Sequence, residues 1–399
     1  MRSIRDCILI INGGSSSIKF ALYDVDGTIK QSLSGEIENI GSKNTALSYT
    51  NAISNQKNSI KAEIADHKEA ANFLIDWLEK QDGFASVKAT GHRIVHGMQH
   101  TAPEQITPEL LDELKKISAY DPEHLPEEIK LIEVFGKRYP SLAQVACFDT
   151  SFHTSMPMVA KLLSTPRRYF DMGIQRYGFH GLSYAYLMEE LNRIAGAEVG
   201  EGKIILAHLG NGASLAAVKD GKSIDTSMGF TPTSGLPMGT RTGDLDPGVA
   251  WYLMGSEKLS AKQFNHLINH ESGLLGISGT SSDMRDLIKW QSTDARAAEA
   301  VELFCYQAKK WIGAYAAALG GIDTLIFSGG IGEHAAEIRS RICIGLGFLG
   351  IEIDEPRNAQ HEAIISADAG KVSVRVVKTN EELMIARLVC DVLNYSYKH

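Results

Sequence analysis

Cys7-Ile-Leu-Ile-Ile-Asn-Gly-Gly-Ser-Ser-Ser-Ile-Lys-Phe-Ala-Leu-Tyr-Asp-Val-Asp-Gly27 begins on an apolar run and ends on an Asp-Gly pair. Cys7–Ile11 is rich in β-branched residues and reads as a strand that stops at Asn12. Ile18–Tyr23 reads as a second strand after the Gly/Ser turn, and Asp26-Gly27 turns the chain into a third. The same order returns half a chain later. Lys203–Ala207 is a strand and His208-Leu-Gly-Asn-Gly212 a turn. Ala213–Val218 is the next strand, and Asp220-Gly221 turns into Ser223–Thr226. Strand, small-residue turn, strand, Asp-Gly turn, strand, occurring twice, predicts a duplicated α/β domain.

Helical patterns fill the space between and after the repeats. Lys68–Glu79, Pro108–Ile117, Ser183–Ile194, Ala297–Leu319 and Ala335–Leu346 carry apolar residues at three- and four-residue spacing, and so predict helices. Strands are expected at Val145–Phe148, Thr324–Phe327 and Val372–Val377, with Glu381–Leu393 as a closing helix. Ala52–Ala62 is polar and weakly patterned, and is expected at the surface. A length of 399 residues suits two domains. Hydrophobic residues make up 44% and charged residues 22%, which excludes a disordered chain. A net charge of -8 argues against a general nucleic-acid binder. No apolar stretch approaches the roughly 20 residues of a spanning helix, and the run before Asn12 is too short for a signal segment. Cys7, Cys147, Cys305, Cys343 and Cys390 have no C-x-x-C spacing and read as reduced core thiols. A soluble cytoplasmic protein, with neither membrane nor nucleic-acid partner, is the expectation.

Three small-residue turns point to phosphate. Asn12–Lys19 offers Gly for close backbone approach, Ser hydroxyls as donors and Lys19 as a point charge. It is not a P-loop, whose Lys-Ser/Thr pair opens a helix. His208–Gly212 and Ser328-Gly-Gly-Ile-Gly-Glu333 each follow an apolar strand, and the second precedes a helical pattern. Together they suggest a nucleotide lying between the two repeats. Gly345-Leu-Gly-Phe-Leu-Gly350 has the letters of a dinucleotide fingerprint, but it ends a helical pattern and reads as a C-cap and turn. His92 and His96 sit at a strand end, where four residues span roughly 13 Å, too far for one metal ion. Arg241, ringed by small residues in Gly239–Pro247, and Arg93 suit an anion. His180 precedes a helix, and Asp149 ends a strand, either as an active-site acid or as an N-cap.

These segments together resemble the acetate kinase family, within the acetate and sugar kinase, chaperone ATPase and actin superfamily. The resemblance runs from Ile10 to Arg387. It is carried by Asn12–Lys19, Gly91–Gly97, Phe148–His153, Arg176–Ser183, His208–Ser214, Asp225–Asp246, Gly276–Arg285, Ser328–Glu333 and Thr379–Arg387. It implies an α/β fold of duplicated ribonuclease-H-like, actin-like ATPase domains with a central inter-domain cleft. Residues 1–150 and 382–399 would form the acyl-substrate domain, and 151–381 the nucleotide domain. The implied reaction is reversible, Mg²⁺-dependent transfer of the ATP γ-phosphoryl group to acetate. Mn²⁺ would substitute for Mg²⁺, and a homodimer is implied. A kinase for propionate or another short acid is the alternative, and a non-acyl ATPase of the same fold comes after it.

Residue roles follow from the same resemblance. Asp149, His180 and Arg241 would be catalytic, with Arg93, Val95, Phe179 and Pro232 binding the acyl substrate. ATP would meet Lys19, His208, Leu209, Gly210, Asn211 and Gly212. It would also meet Asp283, Met284, Arg285, Gly330, Ile331, Gly332, Glu333 and His334. Asn12 and Glu381 would hold the metal. The chain departs from the family pattern at Met98, where a second Gly is usual, and at His334, where Asn is usual. Ser234-Gly-Leu-Pro237 replaces a common Glu-Gly-Leu-Met. Pro122-Glu-His-Leu125 places Glu123 where a pocket Leu is expected. Glu123 is expected to face outward, since an unpaired buried carboxylate is expensive. Acetate, like side-chain carboxyls with pKa values near about 4, is ionised at neutral pH. Asp149 therefore need not take a proton, and is expected to orient Mg²⁺, water or an Arg.

Overall fold

The computed structural model describes residues 6–14, 16–52 and 56–398. They fall into two compact units. The first holds the chain to Ser151 together with the residues from Asn380 onward, and the second holds Phe152–Thr379.

In the first unit the strands are β1 (Cys7–Gly13), β2 (Ile18–Val25), β3 (Gly27–Glu38), β4 (Ala46–Asn51), β5 (Gln56–Lys61), β6 (Val87–Ile94), β7 (Glu104–Gln105) and β8 (Ala143–Phe148). Their order across the sheet is β5-β4-β3-β2-β1-β6-β8-β7. In the second unit, β9 (Lys203–Leu209), β10 (Ala213–Lys219), β11 (Lys222–Thr226), β12 (Thr324–Ser328) and β13 (Ser373–Val376) lie in the order β11-β10-β9-β12-β13. A last short strand, β14 (Tyr397–Lys398), pairs with β3. The expected duplication is there. β1 runs antiparallel to β2 and parallel to β6, while β9 runs antiparallel to β10 and parallel to β12. β3-β2-β1-β6-β8 and β11-β10-β9-β12-β13 thus share one topology.

Central strands flanked on both faces need apolar residues at every position. All seven residues of β1 are buried. Leu9 and Ile11 face the cluster that holds Leu74, Leu131 and Phe135, from the helices His67–Leu78 and Leu125–Arg138. The other face meets the helix Glu381–Leu393. That helix lies so close to β6 that a Cβ on Gly91 would sit 2.6 Å from methyl carbons of both Ile385 and Val389. Fully burying a side chain such as Ile385 contributes about 1.5–3 kcal/mol. In the second unit, Leu187 and Leu191 of the helix Gly181–Ala195 pack on Ile204, Leu206 and Ile326. The long helix Ala295–Leu319 lies against β9 and β10.

Pro108–Ile117 and Glu381–Leu393 form helices with the expected bounds. Ala335–Leu346 is helical only over Ala336–Cys343, and Gly345 follows with φ of +84°. Part of Ala52–Ala62 lies outside the described residues. Its remainder is at the surface as expected, but Gln56–Lys61 is a fully exposed edge strand. With no apolar face it carries no period-2 signal, and Lys57 and Lys61 protect an open edge. The helices Leu125–Arg138, Pro247–Ser256 and Ala261–His270 were not expected. All five Cys are buried and unbridged. Burial pushes the Cys390 thiol up to about 12, which keeps it inert. Among the described residues no helix is long and apolar enough to cross a membrane.

Candidate active site

The parallel pair β6 and β8 ends in step, with Ile94 opposite Phe148. This register sets Arg93 beside the residue that follows β8. Arg93 Nη2 donates to Asp149 Oδ2 at 2.8 Å. Asp149 is fully buried and donates its own backbone N–H to Ile94 O at 2.9 Å. Burial works against the Arg93 charge, but Asp149 and Glu128 hold its pKa above the ordinary value. Asp149 is therefore an acceptor engaged with an arginine, as its alternative reading as an N-cap did not anticipate.

Asn12 lies near the end of β1, and Glu381 opens the last helix. Asn12 Nδ2 donates to Glu381 Oε2 and to Glu382 Oε1, each at 3.3 Å. Glu381 is half-buried. Burial first, then the charge of Asp149, pushes its carboxyl up to about 7, although Arg93 pulls the other way. Lys19 has an exposed surface but a crowded ammonium. Desolvation lowers its pKa, and Glu36, Glu382 and Glu381 together outweigh that and raise it. The segment between Asn12 and Lys19 is the hairpin turn of β1 and β2, where Gly14 donates to Ser17 O at 2.8 Å. Ser15 lies outside the described residues. Val95 is buried near the end of β6. Met98 has φ of +51°, a left-handed conformation that costs a non-Gly residue about 1–2 kcal/mol and accounts for the usual Gly. Glu123 is half-buried. It follows the buried Asp121, which is paired with His124 at 3.0 Å, while Leu125 takes the core position.

In the second unit His180 caps the helix Gly181–Ala195 with φ of +57°. Non-Gly residues held there cost of order 1–3 kcal/mol and cluster at functional sites. His180 Nδ1 is hydrogen-bonded to Ser214 Oγ at 2.8 Å, and Ser214 Oγ to Tyr184 Oη at 2.5 Å. The His180 ring stacks on His208, with centroids 4.3 Å apart. His208 Nδ1 is bonded to Ser183 Oγ at 2.8 Å, which occupies that nitrogen. Arg241 Nη1 donates to Pro232 O at 3.0 Å. His180 and Arg241 converge at the β9–β10 turn. A Cβ on Gly212 would lie 3.2 Å from His180 Nε2 and 3.7 Å from Arg241 Nη1. Phe179 and Pro232 are buried in this unit, whereas Val95 belongs to the first.

A cavity of about 710 Å³ opens beside that turn. Three of the expected segments meet in its wall: Gly210 with Asn211, Asp283–Arg285, and Gly330 with Ile331 and His334. Ile288 adds an apolar surface, which suits a purine face. Asp283 caps its helix and clamps Arg285, whose side chain is 90% exposed. Leu209, Gly212, Gly332 and Glu333 are not part of that lining. Glu333 Oε1 accepts from Gly329 N at 3.0 Å and Thr379 N at 3.1 Å, so this carboxylate ties the segment down from inside.

Three residues went unread in the sequence. Glu128 falls in the 125, 128, 129, 132, 135 stripe of a helix that was not expected, and as a carboxylate it gives no apolar signal at that position. Ser214 follows the Gly212 turn by two, on the same strand. Arg339, fully buried, donates from Nη1 to Gly332 O at 2.8 Å and Glu333 O at 3.0 Å, and no local pattern distinguishes it.

The model of the Acetokinase family matches residues 7–387. An acetate kinase of Rhodopseudomonas palustris (strain TIE-1) is 43% identical over 390 residues, covering 96% of this chain and 98% of that protein. The crystal structure of Porphyromonas gingivalis acetate kinase superposes with a TM-score of 0.86 at 37% identity, covering 97% of this chain and 100% of that one. A propionate kinase structure from Francisella tularensis subsp. tularensis SCHU S4 superposes with a TM-score of 0.90, also at 37% identity, covering 96% and 98%.

Proposed function

The chain belongs to the acetokinase family, and on that premise we propose that it transfers the ATP γ-phosphoryl group reversibly to acetate, giving acetyl phosphate and ADP. The observation that carries this reading is the meeting of His180 Nε2 and Arg241 Nη1 at Gly212, in the same turn whose Gly210 and Asn211 line the large cavity. A nucleotide seated there directs its phosphates at an imidazole and a guanidinium. Phosphoryl transfer depends on positioning and charge stabilisation more than on covalent help from the protein. His180 and Arg241 supply donors to the equatorial oxygens of the phosphoryl group in flight.

Arg93 holds the acceptor carboxylate, since a guanidinium matches its two oxygens. Asp149 orients that guanidinium from the other side. It accepts at 2.8 Å, and acts as neither base nor nucleophile, because the acceptor is already ionised. Val95, two residues along from Arg93 in the first unit, limits the acyl group. The oxygen-rich set at Asn12 and Glu381 fits Mg²⁺: hard donors are what this ion takes, usually few from protein. The Glu381 carboxyl, held at about 7 by burial and by Asp149, sits where added positive charge restores the carboxylate. Among the described residues no three His, Cys, Asp or Glu form a ready-made metal cage, in keeping with an ion that retains several waters. Asn12 and Glu381 would hold Mg²⁺, which when bound would supply positive charge to neutralise the phosphates. The protein is expected to act in the cytoplasm as a homodimer.

Acetate and propionate differ by one CH₂, worth about 0.8 kcal/mol where it fits, whereas overpacking costs about 1–3 kcal/mol. Acetate is expected first, propionate within a few fold, and butyrate poor. ADP formation measured with each acid tests this. A butyrate kcat/KM above that of acetate overturns the small pocket, and ADP release independent of any acid overturns the kinase reading.

A further inference from the structure

Glu128 has no part in the reaction as described. It sits on the inner face of the helix Leu125–Arg138 with 3% of its surface exposed. Its Oε2 accepts the Val95 backbone N–H at 2.9 Å. Its Oε1 is 3.7 Å from Arg93 Nη1, beyond hydrogen-bond reach. That oxygen is buried without a hydrogen-bond partner among the described residues. Leaving a buried polar atom unpaired costs about 1–3 kcal/mol. An unpaired oxygen beside the arginine that takes a carboxylate has an obvious ligand.

The ionisation state decides whether it attracts or repels that ligand. Three charged groups face Glu128: Arg93 on β6, Asp149 after β8, and Asp121 ahead of its own helix. Asp121 is itself paired with His124, and the neighbouring Glu127 with His67 at 3.5 Å. Were Asp149 and Glu128 both ionised, one guanidinium would already face two carboxylates, and an anionic substrate would be repelled. A neutral Glu128 reverses this. Its Oε1 then carries a proton and points a donor to the side of Arg93.

We propose that Glu128 works as a neutral carboxylic acid in the acyl subsite, giving an Oε1–H hydrogen bond to the substrate carboxylate beside Arg93. The proposal rests on the assignment of Arg93 to that carboxylate. Burial, opposed by Arg93 and the Val95 N–H, pushes the Glu128 carboxyl up to about 8, so the neutral form prevails at neutral pH. Above that, the ionised protein must take up one proton for each carboxylate bound.

The test is the pH dependence of the acetate KM. A group titrating near 8 goes from about nine-tenths neutral at pH 7 to about one-tenth at pH 9, so the KM rises about tenfold in the natural protein. In Glu128→Gln, whose amide stays a donor at every pH, the rise is expected to be under about twofold. An unaltered tenfold rise in Glu128→Gln overturns the proposal. Infrared difference spectra of the natural protein on adding ¹³C-acetate provide a test that does not require the variant to fold. A neutral-carboxyl band should shift at pH 7 and be absent at pH 10, and no such band at pH 7 overturns the proposal. Arg93→Ala separates the two readings. If it raises the acetate KM while Glu128→Gln keeps the natural pH profile, Glu128 alone is misassigned. If Arg93→Ala leaves the acetate KM unchanged, the carboxylate site is elsewhere and both readings fall.

Discussion

Replacing Arg241 by Ala removes one of the two donors that converge at Gly212. The loop should survive. Its backbone is held independently of that side chain, with Met238 N donating to Arg241 O at 3.0 Å and Thr242 N to Ile268 O at 3.0 Å. Besides a weaker contact to Met238 Sδ at 3.6 Å, the side chain gives a hydrogen bond from Nη1 to Pro232 O at 3.0 Å. Losing it costs about 0.5–1.5 kcal/mol, a fall in melting temperature of no more than a few degrees. The catalytic loss should be larger, because a positioned donor to a developing charge is worth about 2.7–4 kcal/mol, or 10²–10³-fold in kcat. Arg241 does not line the 710 Å³ cavity proposed for the nucleotide, so the ATP KM should change by less than about threefold, a ground-state effect under about 0.7 kcal/mol. Arg241→Lys keeps the charge but offers a compact ammonium instead of a fork, and should recover only part of the rate. Steady-state ADP formation, together with a thermal melt of each variant, measures all of this. A folded Arg241→Ala protein with near-natural kcat refutes the convergence argument. A large rise in ATP KM with unchanged kcat moves Arg241 to nucleotide binding.

Ser214→Ala removes the hydroxyl shared by His180 Nδ1 and Tyr184 Oη; freeing the imidazole tautomer should lower kcat by about tenfold or more and shift its pH profile, and an unchanged profile counts against this. Glu381→Gln should raise the Mg²⁺ concentration needed for half-maximal activity by at least about tenfold, and a superimposable Mg²⁺ titration rejects the metal assignment. Stability gives a further check on Glu128. Its carboxyl is raised from the ordinary glutamate range to about 8, so the folded protein binds the extra proton and loses stability as pH climbs through that window. Glu128→Gln should therefore melt higher relative to the natural protein at pH 9 than at pH 6, and an equal difference at both pH values argues that Glu128 is not neutral in the fold.

Local patterning carried a great deal. The all-apolar run Cys7–Ile11, the Gly/Ser turn and the Asp-Gly pair are readable because a hairpin is built from neighbours in the chain, and the same holds for Lys203–Thr226. From their recurrence the duplicated sheet followed, as did the helix Glu381–Leu393 from its 3.6-residue period. The turns that line the cavity were legible as clusters of small residues, because close backbone approach restricts the residue type whatever the rest of the fold does.

Contacts distant in sequence were not legible. Asn12 and Glu381 meet across 369 positions, and Arg93 and Asp149 across 56, through a parallel register that no short window encodes. Why Gly is usual at Met98 became visible only with its positive φ. Glu128 looked like one of two acidic residues at an ordinary helix start, where the helix dipole favours them. Only packing of that helix beneath β6 turned one of the pair to the solvent-accessible side and buried the other against Arg93. Sequence periodicity determines which face of an element is apolar. Which faces meet, and therefore which charges lose their water together, is decided only when the elements close on one another, and that loss of water sets the chemistry of Glu128 and Glu381.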